Sequence, residues 1–252
     1  IDNRIIKRNI PDISLQKNQN YSIMFSKNDL FNQLELSFGG EYIKSKGNYF
    51  TNSEINETQI RSTNFFLPES TRYLNFYLNF TKLIRFINTT VKITSNYSIN
   101  NFKNIINNSS LIANKTSLFS NDVFLKTAFK SSLNFENKTT FFFQENQGQN
   151  SFFNNSFENN FKLIYKPSKQ FFGSVTYNQF IPNLLDKKNV YIFLNSEITF
   201  KPKDRLWEVG VSGVNLLNEN SFINRDISDI SSSSLRVNLL KRYLILNFKY
   251  SF

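Results

Sequence analysis

Arg242-Tyr-Leu-Ile-Leu-Asn-Phe-Lys-Tyr-Ser-Phe252 alternates in steps of two along its length. Counting back from Phe252 gives Tyr250, Phe248, Leu246 and Leu244, all apolar or aromatic. The intervening Ser251, Lys249, Asn247, Ile245 and Tyr243 are mostly polar. A period of two is the signature of a β-strand with two unlike faces. Such a strand can pack its apolar face on a protein core. It can also turn that face to lipid while the polar face lines a watery lumen.

The same alternation recurs upstream. Leu74, Phe76, Leu78 and Phe80 share one face of a strand over 71–81, with Tyr73, Asn75, Tyr77 and Asn79 opposite. Val190, Ile192, Leu194, Ile198 and Phe200 share another, with Tyr191, Asn195 and Glu197 opposite. Shorter apolar faces run through Leu34–Phe38, Val91–Ile99, Val123–Phe129, Leu133–Phe143, Phe161–Tyr165, Phe171–Tyr177 and Trp207–Val211. Gly39-Gly40 reads as a bulge or bend. Short connections centre near Asn28, Arg85, Ser131, Pro167 and Pro202, the last three at intervals of 36 and 35 residues. Polar stretches at 45–70, 101–116, 145–155, 181–189 and 217–239 read as long loops between them. Short turns at one end and long loops at the other describe an up-and-down meander, the layout of an outer-membrane barrel. The count is eleven strands, or twelve if 1–8 adds one. Because bacterial single-chain barrels use even numbers, eleven points to part of a larger barrel.

Composition agrees. The 252 residues include 29 Phe and 11 Tyr, but one Trp, seven Gly, no Cys and no His. Mean hydropathy is −0.38, and no run approaches the roughly 20 apolar residues of a membrane-spanning helix. A lipid-facing aromatic side on each strand reconciles a polar chain with this aromatic content. The missing Cys and His remove thiolate and imidazole catalysis and the commonest transition-metal ligands, so neither an enzyme nor a metal or other cofactor is expected. The net charge of +11 is scattered without a basic tract, which argues against nucleic acid as a partner. Asp226, Asp229 and Ser231–Ser234 are rich in oxygen donors, but their spacing fits no calcium loop.

Three stretches carry a resemblance: Asn159-Asn-Phe-Lys-Leu-Ile-Tyr-Lys-Pro167, Gly213-Val-Asn-Leu-Leu-Asn218, and Leu239-Leu-Lys through Phe252. In these the chain resembles the carboxy-terminal half of TonB-dependent receptor-like outer-membrane β-barrel proteins, in the group with an amino-terminal carboxypeptidase-regulatory-like domain. The resemblance implies an all-β transmembrane antiparallel barrel of about 22 strands, of which residues 1–252 supply half, without the plug domain. It implies nutrient transport across the outer membrane of a Gram-negative bacterium. The implied partners are outer-membrane lipid, the barrel-assembly machinery, the rest of the receptor, a TonB-type coupling protein and a surface lipoprotein. Phe248, Tyr250 and Phe252 match the aromatic pattern read during barrel assembly. Leu74, Phe76, Leu78, Phe80, Val190, Ile192, Leu194 and Phe200 are expected to face lipid. Asn75, Asn79, Glu197, Asn247 and Lys249 are expected to face the lumen. A non-transporting barrel, serving as a structural subunit of a larger membrane complex, is the alternative.

Overall fold

The computed structural model describes residues 5–9, 15–56, 59–148, 151–185, 189–203, 205–227 and 232–251. Among these the chain is all-β apart from one 3-10 turn, Arg85–Ile87. The strands are β1 (Ile5–Asn9), β2 (Lys17–Asp29), β3 (Leu34–Ile55), β4 (Ile60–Ile84), β5 (Thr89–Ile106), β6 (Ile112–Thr127) and β7 (Leu133–Gln147). They continue with β8 (Phe152–Tyr165), β9 (Phe171–Ile181), β10 (Tyr191–Phe200), β11 (Trp207–Val214), β12 (Ser221–Ile227), β13 (Ser232–Asn238) and β14 (Tyr243–Tyr250). From β2 to β11 each strand pairs antiparallel with the next, and β14 pairs with β11. This is an eleven-strand up-and-down sheet. The pair β12–β13 forms a small sheet of its own inside the last loop.

The sheet is open: among the described residues, neither the outer edge of β2 nor that of β14 has a strand beside it. One expectation about the outline changes. β1 is a strand, but it runs parallel to the top of β4, from Ile5↔Ile60 to Asn9↔Asn64. It therefore does not extend the meander as a twelfth member.

Three expected long loops are also strand. β3 and β4 run on through most of 45–70, β5 and β6 through much of 101–116, and β7 and β8 through most of 145–155. The cause is that alternation is imprinted only where the two faces differ. Here adjacent pairs such as Tyr49-Phe50, Phe65-Phe66 and Phe152-Phe153 put apolar groups on both faces among otherwise polar residues, so the ladder leaves no period in the sequence. Strand length falls from 25 residues in β4 to 8 in β14, or from about 80 Å to about 26 Å at 3.3 Å per residue. The first turn also moves. β2 continues to Asp29, and the turn is 30–33, where the Asp29 carboxylate accepts from the Asn32 amide N–H and side chain at 2.9 and 2.7 Å.

Gly39-Gly40 is not a bulge, since pairing runs unbroken through Met24↔Gly39 and Ile23↔Gly40. A Cβ at Gly39 would lie 2.6 Å from the Tyr77 hydroxyl, and one at Gly40 would lie 2.9 Å from the Phe76 ring. The glycines are there to let these rings lie across the strand. The irregularity falls instead at Gly47, φ +75°, between Lys46 and Asn48. Above it the strand order changes, so that β3 lies beside β5 at Asn52↔Ile105 and β4 carries β1. Asn48 is buried at this hinge. It accepts from the Gln16 amide at 2.6 Å and donates to the Ser45 and Glu69 carbonyls. Asn107 secures the folded tip, its side chain accepting from the Ile55 N–H at 2.6 Å.

Asn takes a role that glycine often fills. Among the described residues, five of the six non-glycine positions with positive φ are Asn: 88, 107, 108, 215 and 218. Asn is the side chain that tolerates the left-handed region best, because it hydrogen-bonds its own backbone.

Candidate functional site

The sheet register collects the alternating residues into two continuous faces. Leu36, Phe80 and Ile93 pair in one row, and Phe38, Leu78 and Ser95 in the next. Farther along, Tyr177 opposes Leu194, Phe171 opposes Phe200, and Val209 opposes both Phe200 and Phe248. Since each ladder preserves phase, Leu74, Phe76, Leu78, Phe80, Ile192, Leu194, Phe200, Phe248 and Tyr250 all lie on one face. Cross-strand ring pairs knit this aromatic face together, among them Phe25–Phe38 at 5.1 Å, Phe141–Phe157 at 5.0 Å and Phe135–Phe161 at 6.0 Å. Val190 precedes the first residue of β10 and is exposed. Phe252 lies outside the described residues.

Nothing covers this face among the described residues. Phe76 is 49% exposed, Phe248 68% and Leu246 74%, while Phe50 and Tyr191 are the only buried hydrophobic residues. Phe50 belongs to the folded tip, and Tyr191 to the opposite face. The accessible surface is 17279 Å². A folded soluble monomer of this mass exposes about 11,600 Å². The excess agrees with a single layer: among the described residues no second sheet packs on the aromatic face.

Asn75, Asn79, Glu197, Asn247 and Lys249 all lie on the other face. Asn75 opposes Glu41 and Ser98, and Asn79 opposes Ser37 and Thr94, donating to the Ser37 hydroxyl at 3.3 Å. Glu197 opposes Ser174 and Ser212, Asn247 opposes Gly210, and Lys249 opposes Glu208. Cross-strand ion pairs join them on this face, Lys126 to Glu136 at 2.7 Å and Lys138 to Asp122 at 3.7 Å, and Thr140 donates to Asp122 at 2.6 Å. The aromatic face is not uniform, however. A polar island interrupts it at Ser95–Asn121 and at Asn137, Thr139 and Asn159, linked by side-chain hydrogen bonds of 2.6 to 3.2 Å. Apolar alternation alone does not announce this island.

The loop end of the polar face carries the most elaborate arrangement. Asn215, 6% exposed, donates to the carbonyls of Glu219 and Leu240, each at 2.8 Å. Its side-chain oxygen accepts the Glu219 N–H at 2.9 Å, and its own N–H is held by the Asn195 side chain at 2.8 Å. Asn218 accepts from the Arg242 N–H at 3.2 Å. The Asn-Leu-Leu-Asn stretch therefore ties together both ends of the last loop. Gly213 is part of it, because a Cβ there would meet Leu216 at 2.9 Å. The β12–β13 hairpin that emerges leans onto the polar face. Phe222 packs on Phe180 at 5.4 Å and on Tyr191 at 5.1 Å, and the Ile223 N–H donates to the Tyr191 hydroxyl at 3.0 Å. Beneath it lies an uncharged cleft lined by Asn178, Phe193, Asn195, Asn215, Asn238 and Tyr243. The sequence marked the Asn-Leu-Leu-Asn stretch but not the hairpin, whose serine-rich second strand lacks a period.

Among the described residues no three acidic side chains come together as a metal site. Asp229 and Ser231 of the last loop lie outside them. No family model matches the chain, and no curated protein and no solved structure matches it either.

Proposed function

We propose that this chain is the carboxy-terminal part of a TonB-dependent receptor-like barrel in the outer membrane, and that the whole assembly takes up a nutrient. The carrying observation is the one-layer sheet whose largely aromatic face is bare among the described residues. Water penalises such a face at roughly 25 cal/mol per Å². Hydrocarbon removes that cost, while the backbone groups remain satisfied within the ladder. The polar face, with its ion pairs and the hairpin resting on it, has the character of a hydrated interior.

Strand direction adds a second support. Ten antiparallel steps separate β2 from β14, so the two open edges run the same way. Closure by antiparallel pairs needs an odd number of further strands, and the remaining eleven of a 22-strand barrel meet that need. The polar island on the aromatic face favours the second reading, a structural subunit covered there by another protein.

Fractionation of the producing cells tests the proposal. The protein is expected to stay with outer membranes through salt and alkaline washes, to need detergent for release, and to have an intact mass well above 29.6 kDa. Recovery in the soluble fraction would end the membrane reading. Transport is tested separately by uptake that collapses when the proton-motive force is abolished.

A further inference from the structure

The chain's positive charge is not spread evenly once the strands are in place. The five short connections, 30–33, 85–88, 128–132, 166–170 and 201–206, all fall at one end of the sheet. In sequence they contain seven Lys or Arg and one acidic residue, Asp204, which lies outside the described residues. Among the described residues, the connections at the opposite end hold two cations, Lys241 and Arg242, and one acid, Glu219. Lys130, Lys166, Lys169, Lys201, Lys203 and Arg205 are exposed, and none forms an ion pair among the described residues.

Aromatic rings frame the same turns. Phe129 and Phe135 meet edge to face at 6.2 Å around Lys130. Tyr165 and Phe171 do so at 6.3 Å around Lys166 and Lys169, and Phe200 and Trp207 at 6.3 Å around the three cations of the last turn. Arg85 lies over the Phe31 ring, 5.2 Å from its centre. Edge rings belonging to the aromatic face, with cations just beyond them, repeat turn after turn. Rings of this kind settle at the boundary between hydrocarbon and headgroups, and Lys side chains reach outward from there.

We infer that the turn end is a headgroup-binding rim selective for anionic phospholipids, the cations pairing with lipid phosphate while the rings fix the depth of the sheet. This rests on the membrane reading above and adds a lipid preference and a location to it. The pairing is one of charge: a net-positive rim meets a negative surface, with a gain of about fivefold in association for each Lys or Arg near it. The opposite end, with two cations and one acid among its described residues, has no comparable rim.

Trp207 is the chain's single tryptophan and lies within the rim, so the unmodified chain carries its own reporter. The chain is mixed with vesicles of neutral phosphatidylcholine, and with vesicles in which a third is phosphatidylglycerol. Trp207 emission and its quenching by lipids spin-labelled near the headgroup or at the bilayer centre are recorded across a salt titration. The expected result is shallow quenching, with association at least tenfold stronger for the anionic vesicles and that advantage lost at high salt. The combined Lys166→Gln, Lys169→Gln, Lys201→Gln and Lys203→Gln variant should lose the advantage, while the matching Lys→Arg variant keeps it. Shallow quenching that is indifferent to anionic lipid or to these variants overturns the rim and leaves the membrane reading intact. The cations would then serve another partner, such as an acidic protein. Water-like Trp207 emission with both kinds of vesicle overturns both readings.

Discussion

Asn215 shows how much one side chain does in this chain. It sits in the left-handed region at φ +52° and spends its carboxamide on Glu219 and on Leu240, across the base of the last loop. Asn215→Ala removes three side-chain hydrogen bonds of roughly 1 kcal/mol each and adds the left-handed penalty of about 1 kcal/mol. Asn215→Gly removes the bonds alone. Both variants should open the loop to protease between 219 and 240, alanine more than glycine; equal resistance to wild type would show that the loop is held elsewhere. The two faces can be separated by neighbours. Leu78→Arg puts a charge on the aromatic face, and Asn79→Arg puts one on the polar face. In lipid bilayers the first should cost about 2–4 kcal/mol and the second well under 1 kcal/mol, measured by urea unfolding of the refolded chain. A larger cost at Asn79 would exchange the roles of the faces.

At the scale of the element, legibility followed the apolar band. The faces of 71–81 and of β10 could be read directly, because each alternates between a side that shuns water and one that accepts it. The upper halves of β3 and β4 could not be read, since Tyr49-Phe50 and Phe65-Phe66 put rings on both faces and Asn48, Thr51, Asn52, Thr63 and Asn64 surround them with polar groups. The β12–β13 hairpin was hidden for the same reason, and the polar island because it breaks the alternation without breaking the ladder. The candidate residues inside the strands divide between the two faces of one sheet, with Val190 just before β10 and Phe252 outside the described residues, but the chemistry around Asn215 depends on long-range contacts that no local pattern announces. The hinge at Gly47 was unreadable too, since a lone glycine in a polar run resembles any loop glycine. Its geometry is restrictive: a Cβ would lie 2.7 Å from Phe66 and 3.0 Å from the Leu15 carbonyl, at φ +75°. Gly47→Ala should therefore cost about 1–3 kcal/mol, confined to the folded tip. Hydrogen exchange should accelerate at residues 48–67 and stay unchanged in 71–84. A uniform rise across β4 would mean that the tip and the sheet unfold as one unit.

For the whole molecule the decisive quantity is direction at the two edges. An eleven-strand sheet can close on itself only through a parallel pair, here β2 against β14, whereas antiparallel closure requires strands from beyond it. Among the described residues both edges are bare, and β14, the shorter, has 8 residues against 13 in β2. Bare edges of this length are templates for further pairing. The 252 residues contain no cysteine, so a disulfide between two of their positions can come only from introduced thiols. Phe25→Cys with Leu246→Cys places one thiol on each edge strand. If the two edges are kept apart by an intervening odd set of strands, oxidation in membranes should leave this pair uncrosslinked. A control, Val211→Cys with Leu246→Cys, joins residues directly opposed between β11 and β14 and should form its bond readily. Efficient bonding between positions 25 and 246 within one chain would establish an eleven-strand barrel closed in parallel and would remove the need for any complementing strands. Failure of the edge pair beside success of the control would instead require that the polar face be completed by strands outside this sheet, as the proposed larger barrel demands.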